Sequence, residues 1–417
     1  MTTTVFTPIH KPDTDQLRKL YDSLQAQAWK ADEWVILCNG AAKDWIIDFV
    51  DRRNDPWIKV YHTDTTGNIG ALKAECCDLA SGEILVEVDY DDKLTEDALQ
   101  KIEEAFEQNP EAQFVYSNSV ETLPDGSSQV YGAQYGWHTK PYFNATQMVA
   151  FPPRAQYFRR IEWAPNHVRA FRREGYNAVG GYDRKLPVGD DHDLVCRFYV
   201  EFGQAGFHHI DECLYLYRVH EGNTSNGRNR NAEIQRQVDR NYCRWAEKMY
   251  LRWAKDNSME CLDLGGRFNC PPGYRSVDLL DADLTFDLNG PWPLEADSVG
   301  VLRAYHVLEH LPDTIHFFNE AYRVLAPGGV LLIEVPSTNG AGAFGDPTHV
   351  RFFNTLSFEY FTNQQYARFI QPQYTGRFQA ARVVEYWWNN PKIPVVSAQL
   401  IALKGWYSDR WAGVKQI

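Results

Sequence analysis

The chain has 417 residues, more than one ordinary hydrophobic core takes in, so two domains are expected. With 44% hydrophobic and 23% charged residues it has the composition of a soluble globular protein. Its formal net charge of -13 argues against a general nucleic-acid binder, since phosphate binding rewards an excess of Lys and Arg; a local basic face stays compatible with it.

Eight cysteines (Cys38, Cys76, Cys77, Cys196, Cys213, Cys243, Cys261, Cys270) are scattered without CxxC or Cys/His ligand spacing. They read as free thiols in a reducing compartment. The opening MTTTVFTPIHKP has no charged segment followed by an apolar one, and no apolar run approaches a membrane-spanning length. A cytoplasmic protein without a transmembrane segment is expected.

In chain order, short β-type runs alternate with helical periodicity. Strands are predicted at 2–8, 33–40, 58–63 and 83–92, and helices at 14–27, 42–53 and 69–80. This alternation implies parallel βαβ units. Ligands of such sheets bind beyond the carboxyl ends of the strands, where TPIH (7–10), NGAA (39–42) and DYDD (89–92) lie. A helix at 96–109 and a strand at 113–118 follow, then an irregular aromatic stretch from about 120 to 180. Next come a helix at 190–203, a strand at 212–220, a polar loop at 221–231 and a long helix at 232–256 that serves as a connector. A second α/β pattern then begins: a strand at 259–266 ending in glycines, another at 274–279, and a third from 298 that turns into helix by His310. A helix at 316–329 stopped by Pro-Gly-Gly and a buried strand at 330–336 complete it.

The stretch VEVDYDD (86–92) runs a buried strand into a knot of acids. On an extended chain Asp89 and Asp91 lie on one side while Tyr90 points away, so both address one ligand or ion, and Asp92 starts the next turn. Oxygen ligands suit a hard cation that bridges phosphate oxygens; an acidic solvated turn is the other reading of the same residues.

The ordered segments VFTPIHKP, WVILCNG, GNIGALKAECCDLASGEILVEVDYDDKLTEDAL, FVYSNS, VGGYDRKLPVGDDHDLVCRF and LYLYRVHEGNTS resemble a family 2 glycosyltransferase of the GT-A fold over roughly residues 3 to 225. The resemblance implies that Asp89 and Asp91 bind the ribose and the metal holding the donor diphosphate, with Tyr90 between them. Thr7 and Pro8 match the first-strand turn beside the nucleotide, with His10 where Asn is frequent. His220 completes the metal shell, or is a strand-end surface histidine. Asp190 and Asp191 match a Glu-Asp pair whose second member is the general base, so Asp191 deprotonates the acceptor hydroxyl in an inverting displacement, with Mn2+ or Mg2+ as metal. Helix capping is the alternative role for Asp190 and Asp193.

Two positions depart from that pattern. Cys38 stands where an Asp often meets the nucleotide base, with Asn39 following, which leaves UDP-, GDP- and dTDP-linked donors open. Lys73 replaces a frequent Arg and reads either as a phosphate contact or as a solvated helix lysine. Around 151–176, Arg154, Arg159, Arg160, Arg169, Arg172 and Arg173 interleave with Tyr157, Phe158, Trp163 and Phe171. These residues suit sugar stacking and phosphate pairing, or internal salt bridges. The connector's Arg228, Arg230, Arg236, Arg240 and Arg244 read as a solvated helix face.

From about 258 onward, CLDLGG, GYRSVDLLDADLTFDLNGPWPLEADSVGVLRAYHVLEHLPD and AYRVLAPGGVLLIEVPS resemble a class I S-adenosylmethionine-dependent methyltransferase, and the segment 342–361 that follows resembles one found in methyltransferase-like proteins, many of them from phages. The resemblance implies cofactor contacts at Gly265 and Gly266, at Asp278 for the ribose, at Asp287 near the adenine, and at Tyr305 and His306 on the adjoining loop. The glycine motif is shortened to LGGRFNCPPG. In GAFGDPTHVRFFNTLSFEYF (342–361), Asp346 and His349 either orient an acceptor hydroxyl or sit in a turn stapled by Phe352 and Phe353.

The fold expected is therefore α/β in both halves: a GT-A domain over 1–225, a helical connector over 226–256 and a Rossmann-like methyltransferase domain over 257–417. The expected function is metal-dependent inverting transfer from a nucleotide sugar to a glycan or other hydroxyl, followed by methylation of a glycan hydroxyl. The alternatives are a single glycosyltransferase with a methyltransferase-like scaffold for binding or oligomerisation, and a transferase acting on modified DNA bases.

Overall fold

The computed structural model describes residues 1–10, 14–40, 46, 55–130, 138–159, 167–223, 230–387 and 393–405. Arg160, Trp163, Arg228 and nearly all of the helix expected at 42–53 lie outside the described residues. The chain separates into two units, the first ending at Met249 and the second continuing from Tyr250, so the division falls inside the helix Asn231–Asp256.

In the first unit, β1 (Thr3–Ile9) pairs in parallel with β2 (Glu33–Asn39) and with β4 (Ile84–Glu87), and β2 pairs in parallel with β3 (Ile58–Thr63). Every residue of β2 and β4 is buried, as expected of parallel strands covered on both faces. Helix α1 (Thr14–Gln25) turns Leu17, Leu20 and Leu24 inward at helical spacing. Helix α2 (Ile69–Leu79) starts at Asn68, whose side chain accepts from Ala71 N at 2.9 Å. Beyond the two-residue β5 (Lys93–Leu94) and α3 (Ala98–Gln108) comes β6 (Phe114–Thr122).

The stretch read as irregular contains four strands. They are β7 (Ser128–Gln129), β8 (Thr139–Tyr142), β9 (Ala145–Met148) and β10 (Arg169–Arg172), with the short helix α4 (Arg173–Ala178) behind them. β10 lies antiparallel between β4 and β6, in the middle of the sheet. With α5 (Asp190–Phe202) and β11 (Phe207–Arg218), the order becomes β3-β2-β1-β4-β10-β6-β11-β5. The chain reverses its direction of travel across the sheet between β1 and β4, so their carboxyl ends, Ile9 and Glu87, border a crevice of the ligand-binding kind.

The second unit follows α6 (Asn231–Asp256). Its sheet contains β12 (Glu260–Leu264), β13 (Arg275–Asp278), β14 (Leu284–Thr285), β15 (Val299–Tyr305), β16 (Leu325–Pro336), β17 (Phe378–Trp387) and β18 (Pro394–Ala402). The order is β14-β13-β12-β15-β16-β18-β17, with the switch point between β12 and β15.

Two details differ from expectation. The residues after β15 make only a short 3-10 turn, Leu308–His310, and α7 begins at Thr314 behind Asp313, which caps it by accepting from His316 N at 2.9 Å. Helix α7 (Thr314–Val324) ends before Pro-Gly-Gly, which lies inside β16. Ala326 precedes a proline and so favours extended backbone, and Gly328 takes a φ of +79°. Among the described residues no helix is long and apolar enough to cross a membrane, and all eight cysteines are free.

Candidate active sites

The acids of the first unit do not extend a strand. β4 stops at Glu87, and Asp89 to Asp92 form a turn closed by Asp92 N donating to Asp89 O at 3.1 Å. The same-side placement expected of an extended chain is therefore replaced by a turn that divides the three carboxyls. Asp91 Oδ2 meets His220 Nε2 at 2.8 Å, and Gly222 N donates to His220 Nδ1 at 3.1 Å. His220 thus belongs to the acid cluster, 129 positions along the chain from Asp91. Asp92 does not simply open the next turn. It is buried and accepts from the Tyr215 hydroxyl at 2.8 Å and from Arg218 N at 2.7 Å, which ties the turn to β11. Burial pushes the Asp89 carboxyl up to about 7, against the pull of the Lys73 ammonium.

Below this turn lies an ion-pair network that sequence reasoning missed. Glu87, fully buried, accepts from Arg169 Nε at 3.1 Å and Nη2 at 2.6 Å, pairs with Lys73 at 2.9 Å and receives the Tyr182 hydroxyl. Lys73 also reaches Asp190 at 3.2 Å, and Arg169 Nη1 reaches Asp191 Oδ2 at 3.1 Å. Buried charge is tolerated only when paired in this way. The partners hold Glu87 well below the ordinary carboxylate range despite its burial, whereas burial outweighs Lys73 at Asp190 and pushes it up to about 6. Lys73 is consequently no solvated lysine: its ammonium sits between two internal carboxylates.

Neither Asp190 nor Asp193 caps α5, whose N-cap is Gly189 with no side-chain bond. Asp193 instead accepts from Arg197 Nε at 2.8 Å and Trp245 Nε1 at 2.7 Å. The other expected donor contacts divide. His10 Nδ1 and the Asn39 side-chain oxygen lie 2.9 Å apart, and Asn39 Nδ2 donates to Thr65 O, so those two residues come together at adjoining strand ends. Thr7 is fully buried, donating to Val88 O at 2.8 Å and accepting from Trp34 Nε1 at 3.0 Å, a link inside the sheet. Pro8 stands in β1 opposite Leu37, and Tyr90 packs against the core.

Much of the basic stretch turns inward. Arg172 donates to Ala112 O and Phe106 O, and Arg173 to Gly82 O, Cys77 O and Ala80 O. With Arg169 they form internal bonds, which removes three cations from any nucleic-acid surface. On the connector, Arg230 pairs with Glu233 at 2.7 Å.

In the second unit the glycines after β12 stand at the switch point. Gly265 has a φ of +75°, and a Cβ there would come within 2.6 Å of Val307 Cγ2; one on Gly266 would meet Asp263 Oδ2 at 2.4 Å. Only glycine brings backbone this close to the end of the strand. Asp263 is anchored by Arg303 Nη1 at 2.8 Å, and the Arg303 guanidinium lies 3.8 Å over the Tyr305 ring. Asp278 ends β13, its Oδ1 accepting from Leu279 N at 2.7 Å, while Asp287 is exposed and accepts from Asn289 N at 2.9 Å. His306 takes a φ of +56° between Glu309 and Glu334, each 3.4 Å from one ring nitrogen, and the two carboxylates push it up to about 9. Asp346 accepts from the Thr348 backbone and hydroxyl, Phe353 is buried, and Phe352 is half-exposed against Phe344.

Comparison with known proteins then places both units. Residues 4–180 match the sequence model of glycosyl transferase family 2, and residues 252–333 match that of a methyltransferase domain. This chain joins a family 2 glycosyltransferase domain to a methyltransferase domain. A probable S-adenosylmethionine-dependent methyltransferase of Mycolicibacterium smegmatis is 39% identical over 85 residues, which is 19% of this chain and 31% of that protein. The chain thus spans under a third of the length of the curated relative it matches.

Among solved structures, that of S. aureus TarS is similar at 14% identity and a TM-score of 0.41, covering 60% of this chain and 43% of that one. TarS 1–349 in complex with UDP-GlcNAc is similar at 15% identity and a TM-score of 0.43, covering 61% and 73%. The glycosyltransferase match ends before Asp190, Asp191 and His220, so the turn, the ion-pair network and His220 are joined by the fold beyond the matched residues.

Proposed function

We propose that the glycosyltransferase domain moves a sugar from a nucleotide sugar to a hydroxyl acceptor with inversion, in a reaction that needs a divalent metal. The observation that carries this reading is the convergence of Asp91 and His220 at 2.8 Å at the switch point, with Asp191 held by Arg169, the cation that also pairs with Glu87 beneath the turn. A carboxylate and an imidazole in contact, beside the partly buried Asp89, supply donor types that fit Mn2+ or Mg2+. Asp91 and His220 would hold the ion, which when bound supplies charge stabilisation for the leaving diphosphate. Asp89 and the His10–Asn39 pair would address the nucleotide. Asp191 takes the proton from the acceptor hydroxyl as its oxygen bonds to the anomeric carbon and the bond from that carbon to the diphosphate breaks; Arg169, at 3.1 Å, orients that carboxylate.

For the methyltransferase domain the reading is transfer of a methyl group from S-adenosylmethionine to a glycan hydroxyl. The strand-end glycines and Asp278 fit the cofactor: bare backbone at Gly265 and Gly266 admits its close approach, and Asp278, at the end of β13, would accept from its ribose hydroxyls. Tyr305, His306 and Asp287 would complete that pocket. The shortened glycine motif supports a second reading, a scaffold that binds no cofactor.

A thermal-shift screen against UDP-, GDP- and dTDP-sugars with and without Mn2+ tests the first domain, since a ligand bound only by the folded state raises the melting temperature. Metal-dependent stabilisation by one donor, abolished in Asp91→Ala together with transfer, is expected; undiminished transfer by Asp91→Ala removes the residue from the mechanism. Calorimetry with S-adenosylmethionine tests the second domain, and absence of binding leaves the scaffold.

A further inference from the structure

The methyltransferase domain holds a cluster of metal-ligating side chains just past Val307, the residue that Gly265 abuts. Glu309, His310 and His349 each offer a ligand atom, and the three atoms lie within 4.8 Å of one another. Two segments build the cluster. Glu309 and His310 come from the 3-10 turn after β15, and His349 comes from the loop before Phe353. Val350 N and Arg351 N both donate to Glu309 O, at 2.8 and 3.0 Å, and staple one segment to the other.

The groups around the histidines select their tautomers. His349 Nδ1 donates to Ala343 O at 2.9 Å, which leaves its Nε2 with a lone pair; Asp346 Oδ2 stands 3.9 Å from that nitrogen, beyond hydrogen-bond reach. The Thr348 hydroxyl gives its proton to Asp346 Oδ1 at 2.6 Å, so at 3.0 Å its oxygen accepts from His310 Nδ1, and the Nε2 of His310 also carries a lone pair. Metal-bound histidines are characteristically held in this way, one ring nitrogen donating to an oxygen so that the other is free to ligate.

The independent sign is Glu309. It is only 2% exposed, yet neither carboxylate oxygen accepts a hydrogen bond among the described residues; His306 Nδ1 stands 3.4 Å from Oε1. His306 stands beside Oε1 without a hydrogen bond, and the lone pairs of Oε2 are left for a metal ion.

We infer that Glu309, His310 and His349 form a divalent transition-metal site in the methyltransferase domain. Two imidazoles and one carboxylate favour ions of the Mn2+ to Zn2+ series over Ca2+ or Mg2+. Three protein ligands leave coordination positions for water or for an oxygen of an acceptor, the open arrangement of reactive rather than purely structural sites. Metal binding itself does not depend on the proposed methyl transfer, and only the acceptor's use of the open positions rests on that reading.

The test uses the full chain carrying Asp91→Ala, which removes the proposed metal ligand of the glycosyltransferase domain. After chelation and dialysis the protein is equilibrated with Zn2+ or with Mn2+, and bound metal is measured by elemental analysis and calorimetry. One ion per chain is expected, with a melting temperature that rises on metal addition. Glu309→Gln, His349→Ala and His310→Ala each lose that ion, and Thr348→Val weakens binding about 10- to 100-fold by releasing His310. His310 is exposed, so His310→Ala reports on the metal even where substitution of Glu309 disturbs folding. Retention of no ion, or equal retention by the His310→Ala and His349→Ala chains, overturns the inference. S-adenosylmethionine calorimetry on the same samples separates failure of the metal site from failure of the methyltransferase reading.

Discussion

Glu87→Gln exchanges one oxygen for an amide at the centre of the buried network and leaves the volume unchanged. In the wild type the carboxylate accepts from Arg169 at 3.1 and 2.6 Å, pairs with Lys73 at 2.9 Å and receives the Tyr182 hydroxyl. A charged hydrogen bond is worth about 1.5–3 kcal/mol, and removing one member of a buried pair costs about 3–5 kcal/mol because its partner charges stay behind. The glutamine also turns a donating NH2 toward cations, so the expected loss is about 3–5 kcal/mol. At about 2–4 °C per kcal/mol for a unit of this size, the first unit's calorimetric transition drops by roughly 10 °C. The partners hold Glu87 below the ordinary value of 4.5, so its stabilisation is complete above pH 4.5 and is lost as the pH falls through the lower folded-state value. The gap between wild type and Glu87→Gln should therefore be constant from pH 8 to 5 and close under more acidic conditions. A loss below about 1 kcal/mol, or a gap independent of pH down to acid unfolding, refutes the network's role.

Asp190 should behave with the opposite sign: its carboxyl is raised from 3.8 to about 6, so wild type loses stability relative to Asp190→Asn as the pH climbs from 4 to 7, measured by denaturant titration at each pH. Asp191→Asn is expected to lower kcat by about 10²- to 10⁴-fold with donor affinity unchanged, and a KM effect alone would contradict its role as base. Gly265→Ala forces a Cβ to within 2.6 Å of Val307 at a φ of +75°; a cost of about 1–3 kcal/mol in the second unit's melting, with S-adenosylmethionine binding weakened in calorimetry, is the expected result.

The α/β class of each half was legible because burial leaves a local trace. The apolar run of β2, the leucines at 17, 20 and 24, and the turn glycines all announce their own environment. β10 was not legible. Arg169–Arg172 is short, carries two arginines and sits in an aromatic stretch, so nothing in its own pattern marks it as a central strand. The acid cluster lay between these cases: its position at a strand end was readable, its turn geometry was not, since the strand stops at Glu87 where the apolar run suggested more.

Outside the stretch from about 120 to 180, the alternation of strands and helices and the residue types at the strand ends follow from the sequence by itself, because periodicity and turn chemistry are local properties. Which charges meet was decided only in three dimensions. β10 enters the sheet antiparallel beside β4 and in the register that sets Arg169 opposite Glu87, 82 positions away. The return of β11 brings His220 to Asp91, and the loop after β16 brings His349 to Glu309 and His310. A glutamate in an apolar run reads as an exception until the strand that neutralises it is in place. Pairing energies of buried charges depend on distances across the sheet, and no spacing along the chain encodes them.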